Sequence, residues 1–276
     1  VQIPGELPDL KIERIWVEST DGKQVPAFTT HRKDIDPDHS PTVLYGYGGF
    51  RISLTPDFKA VRLPFLEAGG VWVQACLRGG LEFGEDWHKE GMRGNKQQVF
   101  DDYYSVAEHL IKTGITSKEQ LAAWGGSNGG LLVATAITQR PELFAASICA
   151  VPLTDMLRFH QTLLGSTWTQ EYGSPEDPED FGWLKDYSPY HNIEKRAYPP
   201  TLIRTAIGDT RVDPAHARKM AARLQHNQTS KAPICLWTET DTGHGMGKPT
   251  SMIVEQSLHE FGFIAQHIDL NLKELE

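Results

Sequence analysis

The chain has 276 residues, with 27 Lys+Arg against 36 Asp+Glu, a formal charge of −9 and 39% hydrophobic residues. That balance leaves no basic face to neutralise phosphates, which argues against nucleic acid as the main partner. No apolar stretch approaches the ~20 residues of a membrane span, so the composition points to a soluble globular protein, built as one large α/β domain or two smaller ones.

The first ten residues, VQIPGELPDL, are neither basic nor continuously apolar and do not read as a secretory leader. The chain opens on Val1 and not on Met, as a processed or excised part of something longer would. Residues 12–18 alternate in polarity, Asp21-Gly22 is a turn pair and 25–30 is a second strand-like run, so 12–30 reads as a β-hairpin. After a Pro/Asp-rich loop, strands are expected at 42–46, 70–77, 121–124, 146–151, 201–207 and 233–238. Helices are expected at 57–67, 98–112, 131–139, 214–225 and 250–270. Apolar strands separated by amphipathic helices predict a mostly parallel, twisted sheet covered on both faces.

One segment breaks the rhythm. Residues 155–196 are too long for a simple crossover and are rich in aromatics and Pro. Such an excursion after a strand forms the wall of a substrate site, or a surface appendage with its own small core. Cys76, Cys149 and Cys235 each sit inside an apolar run, which predicts buried free thiols. A reducing cytoplasm suits them best, and a periplasmic home is also compatible.

Gly125-Gly126-Ser127-Asn128-Gly129 has the form Gly-x-Ser-x-Gly, between the 121–124 strand and a helical run. This is the context of a nucleophile elbow, a strained turn that pushes a serine hydroxyl out at the C-terminal edge of a sheet. Glycines are needed because a Cβ two residues before or after the serine would collide across the bend. The following amide and the helix N-terminus then point at an incoming oxyanion. A serine needs a base, and the base an anionic partner. Asp209 follows the 201–207 strand and His244, flanked by glycines, follows the 233–238 strand, so both fall on the edge that carries Ser127. Asp213 and Asp241 compete with Asp209. Asp213 precedes Pro214 at a helix start, where capping explains it, and Asp241 is too close to His244 in sequence. The other histidines, among them His88, His109, His216, His226 and His259, have ordinary structural or solvated readings. No histidine pair with a third ligand has metal spacing, so neither a metal nor another cofactor is expected.

The motifs GGSNGGLLV at 125–133, LYGYGGF at 44–50, LRGGLEFGEDWH at 77–88, STWTQEYG at 166–173, YSPYHNI at 187–193, DTRVDP at 209–214 and GHGMGKPT at 243–250 together resemble the catalytic domain of prolyl oligopeptidases. The resemblance is collinear from about residue 12 to the end. It implies an α/β-hydrolase fold over the whole chain, as one peptidase domain with the hairpin at its N-terminal side. It implies Ser127, Asp209 and His244 as the catalytic triad. Asn128 would give one oxyanion amide, and Tyr47 a second donor through its phenol. Trp168 and Tyr172 match a proline-selective S1 pocket, with Phe50, Val151 and Val212 as apolar neighbours. Arg211 matches an arginine that holds a substrate carbonyl, its alternative being an ion pair with Asp213. Thr210 departs from the family, where many relatives have a second aspartate. The β-propeller that lies upstream of this domain in family members, and limits them to short peptides, is absent from this chain, and so is their N-terminal segment.

The expected function is therefore a serine peptidase cleaving short peptides after proline. A stand-alone esterase acting on small acyl esters, and an inactive binding module on the same fold, are the two alternatives.

Overall fold

The polarity alternation of the N-terminal part does close a hairpin. β1 (Leu10–Glu18) and β2 (Gln24–Arg32) pair antiparallel, from Leu10 opposite Arg32 to Glu18 opposite Gln24. In this computed structural model, which describes residues 7–245 and 247–272, the hairpin is the edge of an eight-stranded sheet ordered β1-β2-β4-β3-β5-β6-β7-β8. Most of the segment read for a leader, and Met246 of the GHGMGKPT motif, lie outside the described residues.

β2 also runs antiparallel to β4 (Val71–Ala75), and every later pairing is parallel. These pairings join β3 (Thr42–Gly46), β4, β5 (Leu121–Gly126), β6 (Ala146–Ala150), β7 (Thr201–Ala206) and β8 (Ile234–Glu239). Parallel strands are buried on both faces, which is why β4 and β6 are buried along their whole length and mostly apolar, with only Gln74 and Ser147 polar. The two faces of the sheet support two cores. On one, Leu44, Val71, Val73 and Ala75 meet α3 (Lys96–Lys112), α4 (Asn128–Gln139) and α7 (Ala215–Asn227). On the other, Val43, Trp72, Ala122 and Ile148 meet α1 (Leu63–Glu67) and α8 (Thr250–His267).

Several boundaries differ from the sequence reading. The helix expected over 57–67 shrinks to a 3-10 turn, Ala60–Arg62, followed by α1. Pro64 is tolerated only in a first helical turn, and the Asp57 carboxylate is taken up by the Arg62 guanidinium at 2.7 Å. The 146–151 strand stops at Ala150, because Val151 turns to φ 41°. α8 stops at His267, and Asp269 beyond it has φ 59°. Cys235 is exposed, not buried, since β8 is the outermost strand; Cys76 and Cys149 are buried as expected. A short helix, α2 (Glu85–Lys89), was not anticipated.

The 155–196 excursion joins the main core. It holds α5 (Thr169–Tyr172) and α6 (Pro178–Tyr187), the latter capped by Asp177, whose carboxylate accepts the amides of Glu179 and Asp180. Phe159, Tyr172, Leu184 and Tyr187 pack with α3 and α4 rather than in a core of their own. The chain runs from β3 outward to β4, then back past β3 to β5. That reversal opens a crevice at the carboxyl ends of β3 and β5, where ligands bind in open α/β sheets.

Candidate active site

β5 leads through Ser127 directly into α4. Ser127 has φ 59° and ψ −117°, a conformation rare for a residue with a side chain, and such strain costs on the order of 1–3 kcal/mol. The surroundings enforce it. The Ser127 amide donates to the Ala150 carbonyl at 2.8 Å. A Cβ on Gly125 would sit 2.1 Å from the Gly129 carbonyl oxygen, and one on Gly129 2.5 Å from that of Gly46. Only glycines let strand, turn and helix approach this closely.

Asp209 and His244 reach the serine from the ends of β7 and β8. His244 Nε2 is 3.0 Å from Ser127 Oγ, and His244 Nδ1 is 2.7 Å from Asp209 Oδ2. The other oxygen of Asp209 accepts the amides of Arg211 at 2.9 Å and Val212 at 3.0 Å. Burial opposes ionisation of Asp209, but the His244 hydrogen bond and those two amides outweigh it and hold the carboxyl below its ordinary range. The competing acids are engaged elsewhere: Asp213 accepts the Ala215 amide at 2.8 Å, and Asp241 is exposed and accepts from Thr240. This constellation can move a proton from a hydroxyl to an imidazole whose other nitrogen is fixed by a carboxylate.

Tyr47, just past the end of β3, places its hydroxyl beside Ser127. Asn128 opens α4, and the first amides of a helix have no carbonyl partner inside it. The Asn128 side chain, 2% exposed, donates to the Tyr47 carbonyl at 2.5 Å and accepts the Tyr172 hydroxyl at 2.8 Å. Burial pushes ionisation of the Tyr47 phenol up, with the Ser127 hydroxyl and the Arg211 guanidinium nearby pulling the other way. The phenol therefore keeps its proton beside the serine.

The apolar residues gather next to it. Phe50 lies edge-to-face on Trp168, with ring centroids 6.5 Å apart, and on Tyr172 at 5.5 Å. Trp168 and Phe50 are half-buried, whereas Tyr172, Val151 and Val212 are closed off from solvent and back the wall. Tyr172 also packs on Phe159 at 5.4 Å. Arg211 is exposed at the rim, and among the described residues no ion pair joins it to Asp213.

The sequence reading missed the ions behind this wall. Lys96, Glu171 and His88 are all buried, and His88, read as ordinary, places Nε2 2.7 Å from Glu171 Oε2. Lys248, four residues past His244, donates to Glu239 at 2.7 Å and to Gln256 at 2.8 Å, tying the histidine loop to β8 and α8. Lysine and glutamate inside polar stretches read as solvated, so no local signal marked them. His216 is a satisfied interior histidine, accepting the amides of Thr154 and Asp155 at 3.2 and 3.1 Å. Among the described residues no group of three His, Cys, Asp or Glu side chains is placed to hold a metal ion, and no helix is long and apolar enough to cross a membrane.

Comparison with known proteins places the chain in a family. The chain is 40% identical over 254 residues to the prolyl endopeptidase of Elizabethkingia meningoseptica, covering 91% of this chain and 36% of that protein. It superposes with TM-score 0.95 and 44% identity on a prolyl endopeptidase studied for the role of inter-domain dynamics in catalysis and specificity, over 98% of this chain and 40% of that one. Prolyl oligopeptidase B from Galerina marginata, solved with a 35mer hydrolysis and macrocyclization substrate, follows at TM-score 0.92 and 38% identity, over 96% of this chain and 38% of that one. The chain thus spans well under half the length of these relatives. A model of the prolyl oligopeptidase family matches residues 56–271; the fold is that of the α/β-hydrolases, and the chain belongs to the prolyl oligopeptidase family.

Proposed function

We propose that this chain carries the catalytic centre of a serine peptidase that cleaves short peptides on the carboxyl side of proline. The observation that carries the reading is the unbroken line of hydrogen bonds from Asp209 through His244 to Ser127, set beside an aromatic wall. Ser127 Oγ attacks the prolyl carbonyl while its proton passes to His244 Nε2. Asp209 holds the opposite ring nitrogen and stabilises the imidazolium. The oxyanion that forms accepts hydrogen bonds from the Tyr47 hydroxyl and the Asn128 amide, and removing one such donor costs about 3 kcal/mol. His244 then gives the proton to the departing amine, leaving an acyl-enzyme, and a water deprotonated by His244 releases the acid.

Proline is selected by shape. A pyrrolidine ring is flat and apolar, and a half-buried indole at Trp168 with Phe50 across from it can stack on such a ring without leaving a buried donor unpaired. Arg211 at the rim holds a substrate main-chain carbonyl. In the whole protein a cover of the propeller type, over the open edge of the sheet, restricts substrates to short peptides. Buried Cys76, its thiol pushed up to about 12 by burial, and free Cys149 suit a reducing compartment.

The test is hydrolysis of a Gly-Pro chromogenic amide alongside its Gly-Ala analogue and a p-nitrophenyl ester. Turnover of the prolyl amide alone among the two amides is the expected result. Fast ester cleavage without amide turnover makes the protein an esterase, and no turnover of either makes it a binding module.

A further inference from the structure

The turn after β3 is strained and unusually well held. Gly48, Phe50 and Arg51 have φ of 66°, 56° and 58°, so this segment needs its surroundings to keep its shape. Three buried side chains grip it at successive points. Asn128 donates to the Tyr47 carbonyl. Lys96 Nζ donates to the Gly48 carbonyl at 2.6 Å. Glu171 Oε1 accepts the Phe50 amide at 2.8 Å, and its other oxygen faces His88.

Lys96 is 1% exposed and Glu171 5%. Burying an ammonium and a carboxylate is costly and is tolerated only when each is paired or hydrogen-bonded. Apolar residues would fill this space at lower cost, yet both charges end on backbone atoms one and three residues past Tyr47. The ammonium also lies 5.6 Å from the Tyr172 ring centroid, against the face of the ring that backs Phe50. Burial lowers the ionisation of Lys96 to about 8, and the Glu171 charge opposes that shift.

We propose that Lys96 and Glu171 are positioning residues: an ammonium on the Gly48 carbonyl and a carboxylate on the Phe50 amide clamp the turn that aims the Tyr47 hydroxyl at the oxyanion. The clamp acts through Tyr47 and touches neither substrate nor serine. It rests on the reading of Tyr47 as an oxyanion donor, and it predicts that losing the clamp and losing the phenol are the same injury.

A double-mutant cycle tests this. kcat and KM are measured for wild type, Lys96→Met, Tyr47→Phe and the double variant, with a phosphonate titration to count competent Ser127. Lys96→Met is expected to lower kcat roughly 30-fold with little change in KM, a sizeable part of the loss of one oxyanion donor. In the Tyr47→Phe background the same change should lower kcat by no more than about 2-fold, because residues acting as a unit are non-additive. Equal losses in both backgrounds, or an unchanged kcat in Lys96→Met, overturn the proposal. Should Lys96→Met fail to fold, Glu171→Gln, which keeps an acceptor for the Phe50 amide, serves instead. It should lower kcat about 5-fold only when the Tyr47 hydroxyl is present, and an equal loss without the hydroxyl, or none with it, contradicts the clamp. The cycle is run on the prolyl amide and on the p-nitrophenyl ester. A wild type that cleaves only the ester refutes prolyl specificity while the ester cycle still decides the clamp, and a wild type inert to both contradicts both readings.

Discussion

Around Ser127 and His244 the local backbone does the positioning, whereas around Tyr47 and Phe50 it is done by ions drawn from distant parts of the chain. On the first side, a left-handed serine, two glycines without room for a Cβ and a carboxylate fed by the amides two and three residues further on set the geometry. Each of these contacts is short in sequence or dictated by strand ends. On the second side, Lys96 lies 48 residues from Gly48 and Glu171 lies 121 from Phe50. Backbone-coded geometry tolerates changes in its neighbours, while an ion-coded turn depends on two long side chains keeping their hydrogen-bond partners in a dry interior.

The comparison can be broken from its strong side first. Ser127→Ala should remove about six orders of magnitude of kcat, and Asp209→Asn about four, with the fold unchanged by circular dichroism. A loss under tenfold for either would mean that the 3.0 Å and 2.7 Å contacts to His244 serve structure alone. Next, Tyr47→Phe removes a single atom and should lower kcat roughly 100- to 1,000-fold with KM nearly constant. A change confined to KM would take the phenol out of the oxyanion site.

Trp168→Ala probes the wall and not the chemistry. It should reduce kcat/KM for a prolyl amide by about 10- to 200-fold, the range that apolar pocket contacts supply, and leave a small ester within a few-fold of wild type. Equal losses on both substrates refute the pocket. The smallest effect concerns stability. Burial pushes the ionisation of His216 down to about 4, with Lys219 adding to the shift and Asp155 opposing it. Between the ordinary value near 6.5 and 4 the unfolded chain takes up a proton that the folded chain refuses, so stability present above pH 6.5 is lost as pH falls through that window, by about 3 kcal/mol at most. His216→Asn, which keeps an acceptor for the Thr154 and Asp155 amides but does not titrate, should show a shallower fall in Tm by calorimetry over the same range. Identical slopes would mean that other groups carry the acid sensitivity.

How much of this was legible in the sequence follows the same divide. The strand and helix order could be read because parallel strands are continuous apolar runs and their helices are amphipathic. The edges were less legible: Pro64 and the Asp57–Arg62 pair cut α1 short, and Cys235 emerged on an outer strand that no pattern marks as an edge. Ser127, Asp209 and His244 could be placed together because each ends or follows a strand, so topology alone brings them to one edge. Tyr47, Phe50, Trp168, Tyr172 and Arg211 came from resemblance, since an aromatic at a strand end has no local signature of its own. The partners of Lys96, Glu171, His88 and Lys248 could not be read, because tertiary packing and not local pattern sets them.

The most direct test is labelling with a diphenyl phosphonate bearing a prolyl group, followed by peptide mapping. A single adduct at Ser127, absent from Ser127→Ala and formed far more slowly by the alanyl phosphonate, is the predicted result. An adduct at another residue, or equal labelling by the prolyl and alanyl reagents, would contradict the account.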